Sequence, residues 1–315
     1  TINTIQVGFQ VIGNTIRNNA GNGIVLIHPS RVGIIANRIF ANGALGIDLG
    51  ADGVTPNDAG DTDDGPNAFI NHPVLQQINI INPNQMIYNF RLDTGARTNG
   101  LRIDFFANDT ADPSGFGEGQ HYLGFVNISH PGGGQAYSGT LATLEPVSIG
   151  DIISATTTRH TNGTGWDLTS EFSAIATADG VAALTVAMAS EVFDPPADNP
   201  FATPGNDIVL TTTVINGGSG STDTDSIFAV IPINPANSFH NGINPAWGGI
   251  VEFSSAGSGL TFTPATDLRF SNAAAPPSGF GQCTYSPTAG YDQQVRHVCL
   301  NPKGTLPAGG AQGQF

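Results

Sequence analysis

Residues 14–26, NTIRNNAGNGIVL, and residues 37–49, NRIFANGALGIDL, carry one pattern written twice at an offset of 23. Asn14 meets Asn37, Ile16 meets Ile39, Asn19 meets Asn42, Gly23 meets Gly46, Ile24 meets Ile47 and Leu26 meets Leu49, while Val11-Ile12 fall on Ile34-Ile35. A repeat of this period predicts a solenoid. The apolar runs are only two to four residues long and are punctuated by Asn and Gly. That is too short for helices. It fits three short strands per coil, with Asn and Gly at corners that need left-handed backbone. Stacked Ile and Leu would fill the inside, and stacked Asn would form hydrogen-bonded ladders. Two coils are too few to bury a core alone. The pattern is already under way at Thr1, so the expectation is either further coils upstream or another molecule over that end.

The same signal, GNTI followed by an NGGxGI-L type stretch over about residues 8–50, resembles the parallel β-helix repeats of large secreted bacterial proteins. The resemblance implies a right-handed parallel β-helix. Composition agrees at the level of class: 41 Gly and 21 Pro in 315 residues, with abundant Asn, Thr, Ser and Asp, predict short strands and tight turns. The expected fold is all-β, a short right-handed parallel β-helix followed by two β-sandwich domains. The expected organisation is coils and an acidic terminal loop over 1–75, a sandwich over 76–178 and an Ig-like sandwich over 179–315.

The acidic loop is DLGADGVTPNDAGDTDDGPNAFINHPVL, residues 48–75. Asp48, Asp52, Asp58, Asp61, Asp63 and Asp64 place six carboxylates within seventeen residues, interleaved with Gly and with Asn57. Such oxygens can converge on a hard cation, and Ca²⁺ takes six to eight of them. The spacing is not that of an EF-hand. Asp48, Asp52, Asn57, Asp58, Asp61, Asp63 and Asp64 are therefore the candidate Ca²⁺ ligands, against a solvated acidic turn or a purely hydrogen-bonded cap on the coils. The string resembles a linker of the same bacterial surface proteins, in which the β-helix runs into the pattern DxGDxDxGPN…NxPVL.

Beyond Val74 the period becomes two, with strands expected at 86–92, 101–107, 122–128, 135–140, 151–157 and 171–176. The strings LRIDFFANDTADPSGFGEGQHYLGF and TSEFS resemble the small β-sandwich that follows this linker in bacterial surface proteins. Asp104, Asp109, Asp112, Glu118 and His121 lie close in sequence, as a second cation site or as ordinary turn chemistry. Glu171 reads as structural, a partner for Arg102 or Arg159. After a linker-like turn at 194–200, the stretch DIVLTTTVINGGSGSTDTDSIFAVIPIN (207–234) resembles the immunoglobulin-like repeat of bacterial cell-surface proteins, which implies a stalk or spacer. It departs from that repeat's pattern at Ala229-Val230, where an Asp normally precedes Ile-Pro. Cys283 and Cys299 fit one local disulfide in an exported protein, or two buried thiols. LPAGGAQGQF stands where the sandwich's closing strand should start, so the expectation is either an open edge completed by another chain's strand or a sequence cut short there.

With 25 acidic and 10 basic residues and a net charge of −15, the chain has no electrostatic footprint for nucleic acid and is repelled by anionic lipid. No stretch is apolar over the length of a membrane span. The expected function is a non-enzymatic, secreted or cell-surface structural or adhesive protein. Its expected partners are copies of itself, joined in a filament by coil stacking or strand complementation, or other surface components. The alternative is the C-terminal part of a polysaccharide-binding or polysaccharide-degrading protein. Trp166, Trp247, Tyr122 and Tyr137 are the candidates for stacking on sugar rings.

Overall fold

A computed structural model describes residues 9–160, 165–192, 208–242, 249–255 and 257–315. The chain is all-β and divides into two compact units, Thr1–Gly180 and Val181–Phe315.

Unit 1 begins with six short strands: β1 (Phe9–Ile12), β2 (Thr15–Arg17), β3 (Ile24–Leu26), β4 (Val32–Ile35), β5 (Arg38–Phe40) and β6 (Ile47–Leu49). They pair in parallel as β1–β4, β2–β5 and β3–β6, with Val11 on Ile34, Ile16 on Ile39 and Ile24 on Ile47. The register is the sequence repeat itself. The asparagine ladders form as well. Asn37 Oδ1 accepts from the backbone N and Nδ2 of Asn14 at 2.9 and 3.1 Å, and Asn42 Oδ1 accepts from those of Asn19 at 3.2 and 2.8 Å.

Eight longer strands follow: β7 (Val74–Asn82), β8 (Gln85–Thr94), β9 (Arg97–Asn108), β10 (His121–His130), β11 (Gly133–Ala142), β12 (Ile152–His160), β13 (Trp166–Thr169) and β14 (Ala176–Gly180). They share one sheet in the order β10-β9-β12-β14-β7-β8-β11, with β13 on β12. The strands at its two ends, β10 and β11, are consecutive in the chain, so the sheet curls into a nearly closed, barrel-like form. The two faces expected of a sandwich are thus parts of one hydrogen-bonded path. Phe90, Phe105, Met86, Ile103, Leu123 and Ile153 are fully buried inside it. The strand expected over 171–176 does not form. Residues 170–175 are an irregular connection between β13 and β14, and their polar side chains have another task.

That task is to hold the coils. Glu171, 4% exposed, accepts from the backbone N of Leu49 at 2.8 Å through Oε1 and from that of Thr55 at 2.8 Å through Oε2. It pairs with neither arginine: Arg102 forks onto Asp104 and Arg159 onto Asp167. Asn67, fully buried, closes a two-way bridge with Val32 (2.8 and 2.9 Å) and donates to Thr169 O at 2.8 Å. Thr169 Oγ1 accepts from Ile34 N at 2.7 Å. Glu118 accepts from Asn42 Nδ2 at 2.8 Å, and Gly119 exchanges two backbone bonds with Ile39 at 2.6 and 2.8 Å. Between these bonds Val32, Ile34, Ile39, Ile47 and Leu49 pack on Phe106 and Phe172 of the sheet region. The approach is close enough to require glycine at Gly33, where a Cβ would lie 2.5 Å from Trp166 O. The second coil therefore buries one flank on the sheet. Strands β4 and β6 are buried throughout, whereas β1, β2 and β3 are half-exposed or exposed.

Unit 2 contains β15 (Leu184–Val192), β16 (Ile208–Asn216), β17 (Ala229–Pro232), β18 (Phe239–Asn241), β19 (Leu268–Ser271), β20 (Gly290–Asp292), β21 (His297–Leu300) and β22 (Ala311–Gln314). Its sheets are β15-β16-β22, β17-β21-β19 and β18-β20. Val214, Ile231, Leu260, Val298, Leu300 and Leu306 are among the residues of its core. The LPAGGAQGQF segment supplies β22, paired with β16, and Phe315 is buried against Phe253 and Phe262. Cys283 and Cys299 are joined in a disulfide that ties a loop to β21, the central strand of its sheet. The turn expected over 194–200 lies outside the described residues.

Removing the Glu171 carboxylate strands two buried amides, so Glu171→Ala should destabilise unit 1 by about 3 kcal/mol. Burial pushes the Glu171 carboxyl up, against the pull of the Leu49 and Thr55 amides, and pushes Glu118 up in the same way. An acid raised on folding contributes most below its unfolded pKa, about 4.3 for Glu, and that contribution is lost as pH rises through the folded value. Urea unfolding should show the unit 1 midpoint rising as pH falls from 7 toward that range, with a smaller rise in Glu171→Ala. A midpoint that falls over this range would contradict the assignment.

Candidate metal centre in the acidic loop

The loop that leaves β6 has to reach β7 across the end of the second coil, and its backbone is held in place by asparagine side chains. Asn57 exchanges two bonds with the backbone of His72, at 2.9 and 3.0 Å. Asn71, 2% exposed, accepts from Asp58 N at 3.1 Å and donates to the carbonyls of Asp58 and Asp93, both at 2.7 Å. Gly60 and Asp61 take φ of +78° and +57°, which folds the DAGD turn back on itself.

The turn gathers three of the candidate ligands. Asp58, Asp61 and Asp63 each place a carboxylate oxygen within 4.8 Å of the others. That is about twice a Ca²⁺–oxygen bond of ~2.4 Å, so one ion could touch all three. Asp58 Oδ2 accepts from the backbone N and Oγ1 of Thr62 at 3.0 and 2.9 Å, and the Thr62 amide holds this carboxyl below its usual range. Asp58 Oδ1 is buried with no hydrogen-bond partner. Asp61 accepts from Asn71 N at 2.9 Å and Thr94 Oγ1 at 2.6 Å, and faces Arg97 at 3.4 Å. Burial nevertheless pushes its carboxyl up. Asp63 is also pushed up, first by partial burial and then by the charges of Asp58 and Asp61. An orphaned carboxylate oxygen and mutual repulsion among three acids both fit a bound cation, with carbonyls and water completing its shell.

The other candidates are elsewhere. Asp48 is buried in β6, where it accepts from Asn22 Nδ2 at 2.5 Å and Ala51 N at 3.1 Å, a corner bond between coils. Asp52 and Asp64 are exposed and do not join the three. Asn57 is committed to His72. The second acidic stretch does not converge. Asp112 caps its own turn through Ser114, Asp109 takes Gln120 and His121, Glu118 holds Asn42, and Asp104 is buried under Arg102 and Tyr122. The aromatic candidates have structural contacts: Tyr122 packs on Phe106, Tyr137 stacks on Phe90, and Trp166 meets His160 edge-on. Trp247 lies outside the described residues. Sequence reading missed the roles of Asn67 and Asn71. For Asn67 the Gly65-Pro66 turn just before it is a signal; for Asn71, between Ile70 and His72, the sequence carries none.

No family model and no curated protein matches this chain. Among solved structures, a chain described under "Life in the extremes: atomic structure of Sulfolobus Turreted Icosahedral Virus" aligns at 10% identity with a TM-score of 0.13, over 75% of this chain. The aligned part spans 57% of that chain's length. A likeness at this level carries no argument about fold or role, so the reading rests on the residues themselves.

If the turn holds calcium, saturating Ca²⁺ should raise the unit 1 melting temperature by about 5–10 °C at ~100 times the dissociation constant. The double change Asp58→Asn with Asp63→Asn should abolish the rise, while Asp52→Asn should leave it intact. An unchanged melting curve in the wild-type chain with calcium or chelator would remove the metal from the account.

Proposed function

We propose that this chain is a structural segment of a secreted or cell-surface bacterial protein, a scaffold or adhesive stalk with no catalytic role. In this reading the two stacked coils are a short right-handed parallel β-helix, the curled sheet is the sandwich module that follows it, and unit 2 is an Ig-like spacer. The acidic turn is a calcium staple between coils and sheet, within unit 1.

One observation carries the proposal. The buried carboxylates among the described residues, namely Asp48, Asp104, Glu118, Asp167, Glu171, Asp267 and Asp292, are all spent on holding the fold. Asp104 and Asp167 take arginine forks. Glu171, Glu118, Asp48, Asp267 and Asp292 accept from backbone N–H groups at coil ends, corners and turns. Catalytic acids are tuned by placing them where a substrate can reach them, and these are not so placed. The disulfide supports an oxidising compartment. Among the described residues no helix is long and apolar enough to cross a membrane. The exposed strands of the first coil support a further coil, from the same or another chain, as its natural neighbour.

The test is fractionation of the source cells with antiserum to this chain, after alkylation to trap free thiols. The expected result is protein in the surface or culture-fluid fraction with Cys283 and Cys299 oxidised. Reduced protein confined to the cytosol would overturn the reading.

A further inference from the structure

In unit 2, strand β15 stands at the edge of the β15-β16-β22 sheet. It pairs with β16 over nine residues, Leu184 on Asn216 through Val192 on Ile208. Among the described residues no strand pairs on its other side. Eight of its nine residues are exposed, on both faces. Its core-side face carries Leu184, Val186 and Met188, at 45, 57 and 47% exposure. Their β16 partners Asn216, Val214 and Thr212 are buried, so the apolar face runs on past the point where the core covers it. Natural edges are blunted by lysine, proline, bulges or inward-pointing charge. LTVAMASEV contains none of these. Its single charge, Glu191, sits near the end and on the opposite face from Met188.

We infer that β15 is a homodimerisation edge: two copies of the chain pair their β15 strands antiparallel about a two-fold axis at Met188. The strand is complementary to itself in that register. Leu184 falls opposite Val192 of the partner, Val186 opposite Ser190, and Met188 opposite Met188. All of these lie on the core-side face, so the half-exposed stripes of two copies merge into one apolar band between two cores. On the other face Glu191 lies opposite Thr185. The two Glu191 carboxylates are then six positions apart, about 20 Å, with no like-charge contact. The open backbone groups of both edges are satisfied in one six-stranded sheet. An isologous contact of this kind closes at two copies. It joins two chains through unit 2 alone. The inference deepens the structural reading above and rests on it for its purpose, but the two fail separately. Localisation tests that reading, and association state tests this one.

The experiment is sedimentation of the full oxidised chain from low to high micromolar concentration. The wild type should reach twice the monomer mass. Met188→Lys and Met188→Glu should each stay monomeric with unchanged far-UV CD, because Met188 is half-exposed in the monomer. An equimolar mixture of the two should recover the dimer. As a check independent of those charges, Met188→Cys should give a disulfide-linked dimer under mild oxidation, whereas Thr185→Cys, whose copies lie six positions apart, should not. A wild type that stays monomeric throughout, or Lys and Glu variants that each dimerise like the wild type, would overturn the inference.

Discussion

A carboxylate cannot be buried without donors, and Glu171 takes its donors from a distant part of the chain. It lies in the connection between β13 and β14, yet its two oxygens are filled by amides at the end of β6 and in the acidic loop. Leaving either amide unpaired would cost the full desolvation of a buried polar group. The coil end, the loop and the curled sheet are therefore bound to one another by a single side chain. Thr169 and Asn67 repeat the device one strand earlier, and Glu118 with Gly119 repeats it on the next side of the coil. Two coils that could not bury a core alone gain one by sharing Phe106 and Phe172 with the sheet.

The acidic turn inherits its geometry from the same arrangement. Asn71 and Asn57 fix the loop backbone, and Arg97 and Thr94 reach Asp61 from the sheet. The Asp61 carboxylate is thus held by groups outside the turn, while Asp58 is held by Thr62 within it. Asp48, Asp52 and Asp64 lack such anchors toward that point. The chain spends its scarce cations inside the fold: Arg102, Arg159 and Arg97 each face a carboxylate of unit 1. The net charge remains −15.

The coils were legible because repetition is a local signal. Asn14 over Asn37 and Ile24 over Ile47 follow from the offset of 23, and the pairing reproduces them residue for residue. The disulfide was legible as one of two alternatives, and the bridge is the one formed. The period-two strands β8 to β12 were legible with short ends. Their union in one curled sheet was not, since closure depends on strands far apart in sequence. Glu171 was read as a strand residue beside an arginine because the alternation of TSEFS imitates a strand. Its true partners are backbone amides more than a hundred positions away, which carry no side-chain signature. The acidic loop announced its charge but not which acids converge, because Asn71 and Thr94 decide that from outside the cluster.

Through this polar seam, coils and sheet form one cooperative body. Native-state hydrogen exchange of the full chain tests it directly. The amides of Val32, Ile34, Leu49 and Thr55 should exchange with the same opening free energy as those of Phe105 and Ala155 in the sheet. If the coil amides exchange freely while the sheet amides stay protected, the seam does not join them and the account fails.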